Sequence, residues 1–292
     1  MPALALLLNA FVWGVSWFPF RQLEALGWHP LWTTSAVYAA ILAAMAALGR
    51  LDLRPFLAQR GLVLLGLAAG LTNVGFNWGV TQGDVVRVVL LFYLMPLWSV
   101  LLAWTLLGER PAPDALARMA LALGGVAIVL KTPDADWPVP ASLPDWLGLG
   151  AGFMFALTNV LLRRMRHATG EQRALAMFVG CAGVGTLAAL LGTAAGIVAL
   201  PAASAFPGWI GWALLLGGGF VFANVCLQYA VVRLTAAAVS VLMLSEVLFA
   251  TASSLALGAG TLGPRIAAGG ALIVLAALWS AFARAPVPGH HA

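Results

Sequence analysis

Glu246 offers the most chemistry of any side chain here, and it lies in the middle of the apolar stretch 235–257. A carboxylate at that depth is expensive and is functional by default. Three uses fit it. It can bind the ammonium of a substrate, it can carry a coupling proton, or a polar neighbour can hold it neutral as a structural group. Other polar side chains recur in apolar runs at helical spacing. Gly66, Gly70, Asn73 and Asn77 fall at i, i+4, i+7 and i+11, which is one face of a helix. Gly217, Asn224 and Gln228 repeat that stripe. Asn9, Trp13, Ser16 and Phe20, flanked by Trp17, form a third, and Gly152, Phe155 and Asn159, flanked by Thr158, form a fourth. Each amide or hydroxyl could simply bond across a helix contact for about 0.6 kcal/mol. The matched pairs Asn73 with Asn224 and Asn77 with Gln228 favour instead a shared polar cavity.

Other chemistries find little material. The chain has no G-x-x-x-x-G-K-[ST] loop, and its one lysine, Lys131, follows Leu130. Cys181 and Cys226 stand alone in apolar runs and read as small buried side chains. His29 and His167 lie in loops, and His290 and His291 in a Pro/Gly-rich tail, so neither a metal nor a cofactor is expected. No serine or cysteine has a base near it in sequence, which leaves an enzyme without a constellation. The net charge of +5 is spread over helix ends rather than gathered in a patch interleaved with aromatics, and no nucleic-acid partner is read from it.

The elements that must position these residues are membrane spans. The composition is 62% hydrophobic and 9% charged, against roughly 45–50% and about 25% in soluble chains. A spanning helix needs about 20 mainly apolar residues. Such stretches run over 3–21, 30–49, 61–81, 85–107, 114–131, 146–165, 174–197, 209–231, 235–257 and 264–283. Barrel strands of about 10 alternating residues do not match runs that are continuously apolar and twice that length. Residues 2–8 carry no basic segment, so the first run reads as a span rather than a signal peptide. The expected fold is all-α, with about ten spans and no separate soluble domain.

Arginine and lysine favour cytoplasmic loops. Placing both termini in the cytoplasm puts Arg50, Arg54, Arg60, Arg110, Arg118, Arg163, Arg164, Arg166, Arg173, Arg233 and Arg284 inside, and leaves Arg21, Arg87, Lys131 and Arg265 outside. The chain also repeats itself. Asn73-Val74 before Asn77-Trp78-Gly79-Val80 returns as Asn224-Val225 before Gln228-Tyr229-Ala230-Val231, and Leu107-Gly108 after Leu94 returns as Leu257-Gly258 after Leu244. Five spans per copy is odd, so the second copy enters the membrane the other way up. Loop charges agree: 50–60 holds three Arg and its counterpart 198–208 none, while 21–29 holds one and 163–173 four. Inverted repeats suit a protein that exposes one site to each side in turn. The expected organisation is a first repeat over 1–131, an outer connector over 132–145, a second repeat over 146–284 and a tail over 285–292.

Where the copies disagree is as informative. Pro96, expected to kink the fourth span, has Glu246 as its counterpart 150 residues on. Asp84 and Arg87, spaced i, i+3 before that span, are expected to pair with each other, an outer gate being the lesser alternative. Gly66-x-x-x-Gly70, Gly148-x-x-x-Gly152, Gly192-x-x-x-Gly196, Gly124-Gly125 and Gly269-Gly270 read as close helix contacts. The fifth and tenth spans have few polar residues and belong away from the cavity, at a dimer or lipid surface. Trp28, Trp32, Trp137, Trp146 and Trp209 fall near the interfaces, where aromatic belts are expected.

Leu94-Met95-Pro96 through Leu107-Gly108-Glu109-Arg110, followed by Gly124-Gly125, resembles the EamA-type repeat of the drug/metabolite transporter superfamily. Asn73 to Val80 and Leu227 to Leu234 resemble the preceding helix of that repeat, and Trp13-Gly14-Val15-Ser16-Trp17 the start of its first helix. The second copy departs where Glu109 becomes Ala259 and Pro96 becomes Glu246. The resemblance implies ten helices in two inverted five-helix repeats and export of small organic solutes through a central cavity. Within the superfamily, overall similarity points to the YddG-type exporters of aromatic amino acids. The cavity residues expected are Ser16, Trp17, Phe20, Asn73, Asn77, Trp78, Phe92, Tyr93, Pro96, Ser99, Phe155, Asn159, Asn224, Gln228, Tyr229 and Glu246. Trp17, Trp78, Phe92, Tyr93 and Tyr229 would stack an aromatic ring, and Glu246 would meet an ammonium or carry a proton. The expected partners are a small-molecule substrate and the lipid bilayer, in a cytoplasmic (inner) membrane. Drugs, sugars or nucleotide-linked metabolites are the alternative cargo, and a lipid-handling role the third reading.

Overall fold

The apolar runs fold as helices in a computed structural model that describes residues 2–107, 113–131, 139–165, 167–201, 208–231, 233, 242–243 and 245–282. In a bilayer every backbone N–H and C=O must be satisfied within the segment, and a helix does this by itself. The described residues contain helices and no strand. In chain order these are α1 (Pro2–Val15), α2 (Trp17–Ala25), α3 (Pro30–Ala47), α4 (Arg54–Ala58), α5 (Arg60–Gln82), α6 (Val85–Phe92), α7 (Met95–Leu107), α8 (Pro113–Leu130), α9 (Leu143–Arg164), α10 (Gly170–Ala194), α11 (Gly208–Val231), α12 (Ser245–Ala256) and α13 (Pro264–Phe282).

Seven helical stretches among the described residues are long and apolar enough to cross a membrane: Pro2–Ala25, Pro30–Ala47, Arg60–Gln82, Val85–Leu102, Leu143–Leu162, Gly170–Ala194 and Gly208–Leu227. The apolar parts of α8 and α13, Leu116–Leu130 and Pro264–Trp279, are shorter. The protein is thus a multi-pass membrane protein. Its outer surface agrees: Leu64, Leu67 and Leu71 form an exposed stripe on α5, and Leu187, Leu190 and Leu191 do so on α10. Such surfaces suit lipid and not water. The expected ninth span, 235–257, and the expected connector, 132–145, lie partly outside the described residues, and Gly108-Glu109-Arg110 and the tail lie wholly outside them.

Among the described residues two spans are broken, each by a proline. Pro19 has no N–H to give to the carbonyl of Val15, and the chain separates there into α1 and α2 at Ser16. Pro96 likewise leaves the carbonyl of Phe92 without its helical donor, and the fourth span divides into α6 and α7 with Tyr93 and Leu94 between them. Gly152 of α9 lies directly over that freed carbonyl, since a Cβ there would sit 2.5 Å from Phe92 O. Gly14 of α1 makes the matching approach to α12, where a Cβ would come within 2.9 Å of the Glu246 carbonyl.

Helix contacts repeat when the halves are exchanged. α5 packs on α9 as α11 packs on α1, and α6 and α7 pack on α9 as α12 packs on α1. α8 and α13 pack on each other, with Gly125 and Gly269 reciprocal: a Cβ on either would sit 2.6 Å from the other's carbonyl. Gly66 and Gly70 of α5 meet Ala176 and Gly180 of α10 backbone to backbone. Gly192-x-x-x-Gly196 is different from expectation. Gly196 follows the last turn of α10 with φ +72°, and Ile197 N donates to Gly192 O, so the pair ends a helix rather than joining two.

Candidate functional site

Glu246 is buried, 6% exposed, between α1 and the α6–α7 break. Tyr93, the first residue of that break, is 1% exposed, and its hydroxyl lies 3.1 Å from Glu246 Oε2 and 3.0 Å from the carbonyl of Met243. Around them Trp17, Phe76 and Phe92 share one apolar cluster with Tyr93, and Phe155 packs against it from α9. Phe92 touches both Phe76, at 4.8 Å between ring centres, and Phe155, at 5.4 Å. The Trp17 indole N–H donates to Ser253 Oγ of α12 at 3.0 Å. Five of the expected aromatic and ionisable residues, Trp17, Phe92, Tyr93, Phe155 and Glu246, therefore gather at one place, beside the two broken spans.

A second polar group lies between α3, α5 and α10. Asn73 Oδ1 accepts from the Tyr38 hydroxyl at 2.7 Å, and its amide N–H donates to Ala69 O. Asn77, fully buried, donates to Thr34 Oγ1 at 3.1 Å and leaves its Oδ1 without a partner. Asn9 donates to Ala223 O of α11, and its Oδ1 is likewise unpartnered. A buried amide oxygen without a donor costs about 1–3 kcal/mol. Phe220 lies beside these groups, stacked on Trp13 at 4.6 Å and on Tyr38 at 5.9 Å, with Phe20 at 6.4 Å. Tyr38, Thr34 and Phe220 were missed from sequence. Tyr38 had one signal, being among only three tyrosines and near the middle of its span.

The turn before α6 corrects the expected Asp84–Arg87 pair. Asp84 caps α6 by accepting the backbone N–H of Arg87 at 3.0 Å, and its other oxygen accepts from Thr261 N and Oγ1. The Arg87 guanidinium turns away and grips Asp145 of α9 through Nε and one terminal nitrogen, at 2.6 and 2.9 Å, and donates to Val129 O of α8 at 2.7 Å. The reason is capping. An Asp at the N-cap spends its oxygens on backbone donors, which frees the arginine for a bidentate partner. Nearby, Arg21 donates to the carbonyls of Val80 and Gly83 at the end of α5. His29 caps α3 by accepting Leu31 N and stands edge-on to Trp78. Burial pushes its imidazole below the ordinary value, toward the neutral form.

Several expected residues lie elsewhere. Tyr229 is 42% exposed with the Arg233 guanidinium 4.1 Å over its ring, so it faces away from the aromatic cluster. Ser16 is buried and spends its hydroxyl on Trp13 O at the α1–α2 break. Trp78 packs with Trp32 against Leu31 and Val74. Ser99, Asn159 and Asn224 are half-buried. The side chains of Pro96 and Gln228 lie outside the described residues. Among the described residues no three His, Cys, Asp or Glu side chains gather as metal ligands.

Sequence comparison fits the first half. Residues 1–131 match the profile of the EamA-like transporter family. No curated protein matches the chain. A solved structure titled only "Crystal structure of protein" is 18% identical, with a TM-score of 0.57, and the alignment covers 96% of this chain and 95% of that one. At that identity the likeness concerns the fold alone, and it extends through both halves.

Proposed function

We propose that the protein exports amino acids, aromatic ones included, across a cytoplasmic membrane by alternating access. In this reading the ten spans form two inverted five-helix repeats, over 1–131 and 146–284, with both termini cytoplasmic. The match of residues 1–131 to a transporter family supports it, as does the packing that recurs when the halves are exchanged. The single observation that carries it is the character of the interior. Asn73, Asn77 and Glu246 each have a hydroxyl partner from another helix, amid rings contributed by α1, α3, α6 and α11.

A zwitterion needs polar groups of both kinds and no large fixed charge, and its aromatic side chain needs flat apolar walls. Amides and hydroxyls supply the first, and Trp13, Phe92 and Phe220 the second. Nucleotide cargo would want free cations. Arg21 and Arg87 are committed to backbone carbonyls and to Asp145, which argues against it. Proteoliposomes loaded with radiolabelled phenylalanine, threonine or a nucleotide sugar test the reading. Phenylalanine efflux well above that of empty liposomes is expected, and amino-acid flux no faster than theirs overturns it.

A further inference from the structure

We infer that Glu246, Tyr93 and the Met243 carbonyl form a proton-binding site that couples proton movement to the transport cycle, an inference that rests on the export reading above. It comes from counting hydrogens. The Tyr93 oxygen contacts two acceptors, Met243 O at 3.0 Å and Glu246 Oε2 at 3.1 Å, but a phenol has one proton to donate. A backbone carbonyl accepts only. With Glu246 ionised, the carbonyl and the carboxylate compete for that proton, and one of them goes without the Tyr93 hydroxyl. With Glu246 protonated, the conflict disappears. The carboxyl O–H donates to the Tyr93 oxygen, the Tyr93 O–H donates to Met243 O, and every partner is satisfied.

The surroundings favour the same state. α12 packs on α1 and α6. α1 carries no titratable side chain from Pro2 to Val15. α6 carries Arg87, nearly two turns before Tyr93, with its guanidinium committed to Asp145 and to Val129 O. Beyond α1, Arg21 is committed to Val80 and Gly83 carbonyls, and Glu24 bonds to Gln82. Among the described residues no cation faces Glu246, and a buried carboxylate without one is the costly form. The group is therefore built to hold a proton rather than a standing charge.

Release changes a tie between the two halves. The carboxyl O–H bond breaks, the proton passes to water on whichever face the site opens to, and the Tyr93 hydroxyl turns from Met243 O to the new carboxylate. Met243 O loses the Tyr93 hydroxyl. Tyr93 belongs to the broken span of the first half, and Met243 and Glu246 to the second half, so proton occupancy selects between two arrangements of that contact. Tyr93 is the positioning residue, and Glu246 holds the ion.

Infrared difference spectra between acid and alkaline pH, recorded on the full chain in lipid without substrate, read the site directly. A protonated-carboxyl band is expected that titrates in wild type, vanishes in E246Q and shifts its midpoint in Y93F. A spectrum unchanged by E246Q overturns the site. In proteoliposomes, a pH gradient should accelerate phenylalanine flux, with that acceleration falling about tenfold in Y93F. A gradient response in Y93F and E246Q equal to wild type overturns the coupling, as does acceleration by sodium at clamped pH. The infrared readout needs no cargo, so a titrating band in a protein that moves no amino acid would refute the amino-acid reading and leave the proton site standing.

Discussion

The third long helix of each half occupies the same place in the contact pattern, yet α5 and α11 are seated differently. In α5, 67% of the apolar stretch is buried, against 22% in α11. α5 meets α10 with backbone on backbone at Gly66, Gly70 and Gly180. The corresponding crossing of α11 with α3 is open, because a Cβ on Gly217 would meet nothing nearer than Val37 Cγ1 at 3.8 Å. The ends differ too. Arg21 reaches from α2 to two carbonyls at the end of α5, whereas Arg233 donates to Tyr229 O within its own stretch of chain. Under the proposed alternating access, two halves that repeat in sequence but not in seating are what one state of the pair should look like. In the opposite state the loose crossing should tighten and the tight one loosen.

The largest test attacks the tie that holds α6, which follows α5 in the chain, to α9 and α8. Arg87→Met leaves Asp145, 2% exposed, with the Ala141 N–H but without its cation and should cost about 3–5 kcal/mol. Thermal unfolding in detergent would read this as a large fall in Tm, and a melt like that of wild type would break the view that this tie is firm. Next comes the crossing itself. Gly180→Val should cost about 1–3 kcal/mol by overpacking, while Gly217→Ala should be neutral or gain up to about 1 kcal/mol of helix propensity. Equal effects at the two glycines would mean that the crossings do not differ in tightness.

The contrast at the ends is smaller. Arg21→Met should lower stability by about 1–2 kcal/mol through two lost charged hydrogen bonds, and Arg233→Met by no more than about 0.5 kcal/mol. Removing the hydroxyl with Tyr38→Phe should cost about 0.6 kcal/mol, visible as a small Tm shift that Phe178→Leu beside it does not reproduce. The smallest effect concerns pH. Because the folded pKa of His29 is lowered, the unfolded chain takes its proton first, so stability is full above the ordinary value of 6.5 and declines as pH falls below it. His29→Asn, which can still cap α3, should flatten that part of the acid slope. An unchanged slope would remove His29 from the account.

Much of this was legible in the sequence, for reasons of length and period. A run such as 61–81 has one way to satisfy its backbone in lipid, and it appears as Arg60–Gln82. Pro96 marked the break before α7, and Gly66 and Gly70 marked a close crossing. What failed was partner choice. Asp84 and Arg87 stand three apart and looked like a pair, but capping and a bidentate carboxylate 58 residues on were the better partners. Gly192 and Gly196 have packing spacing, yet only the positive φ of Gly196 showed that they end a helix. The Tyr38–Asn73 and Tyr93–Glu246 bonds cross between helices, and no local pattern encodes which helices will touch. Tyr229 matched Trp78 by offset, and the unequal seating of α11 put it on the outer surface.

The two cysteines make that inequality readable without labels being added. Cys181 follows Gly180 at the tight crossing and is 2% exposed, and Cys226 lies on α11 at 8%. A small membrane-permeant alkylating reagent reacts only with a thiol that becomes exposed. Reaction at Cys181 would therefore clock each opening of the α5–α10 seam, and Cys226 would supply the reference rate from the looser side of the same molecule.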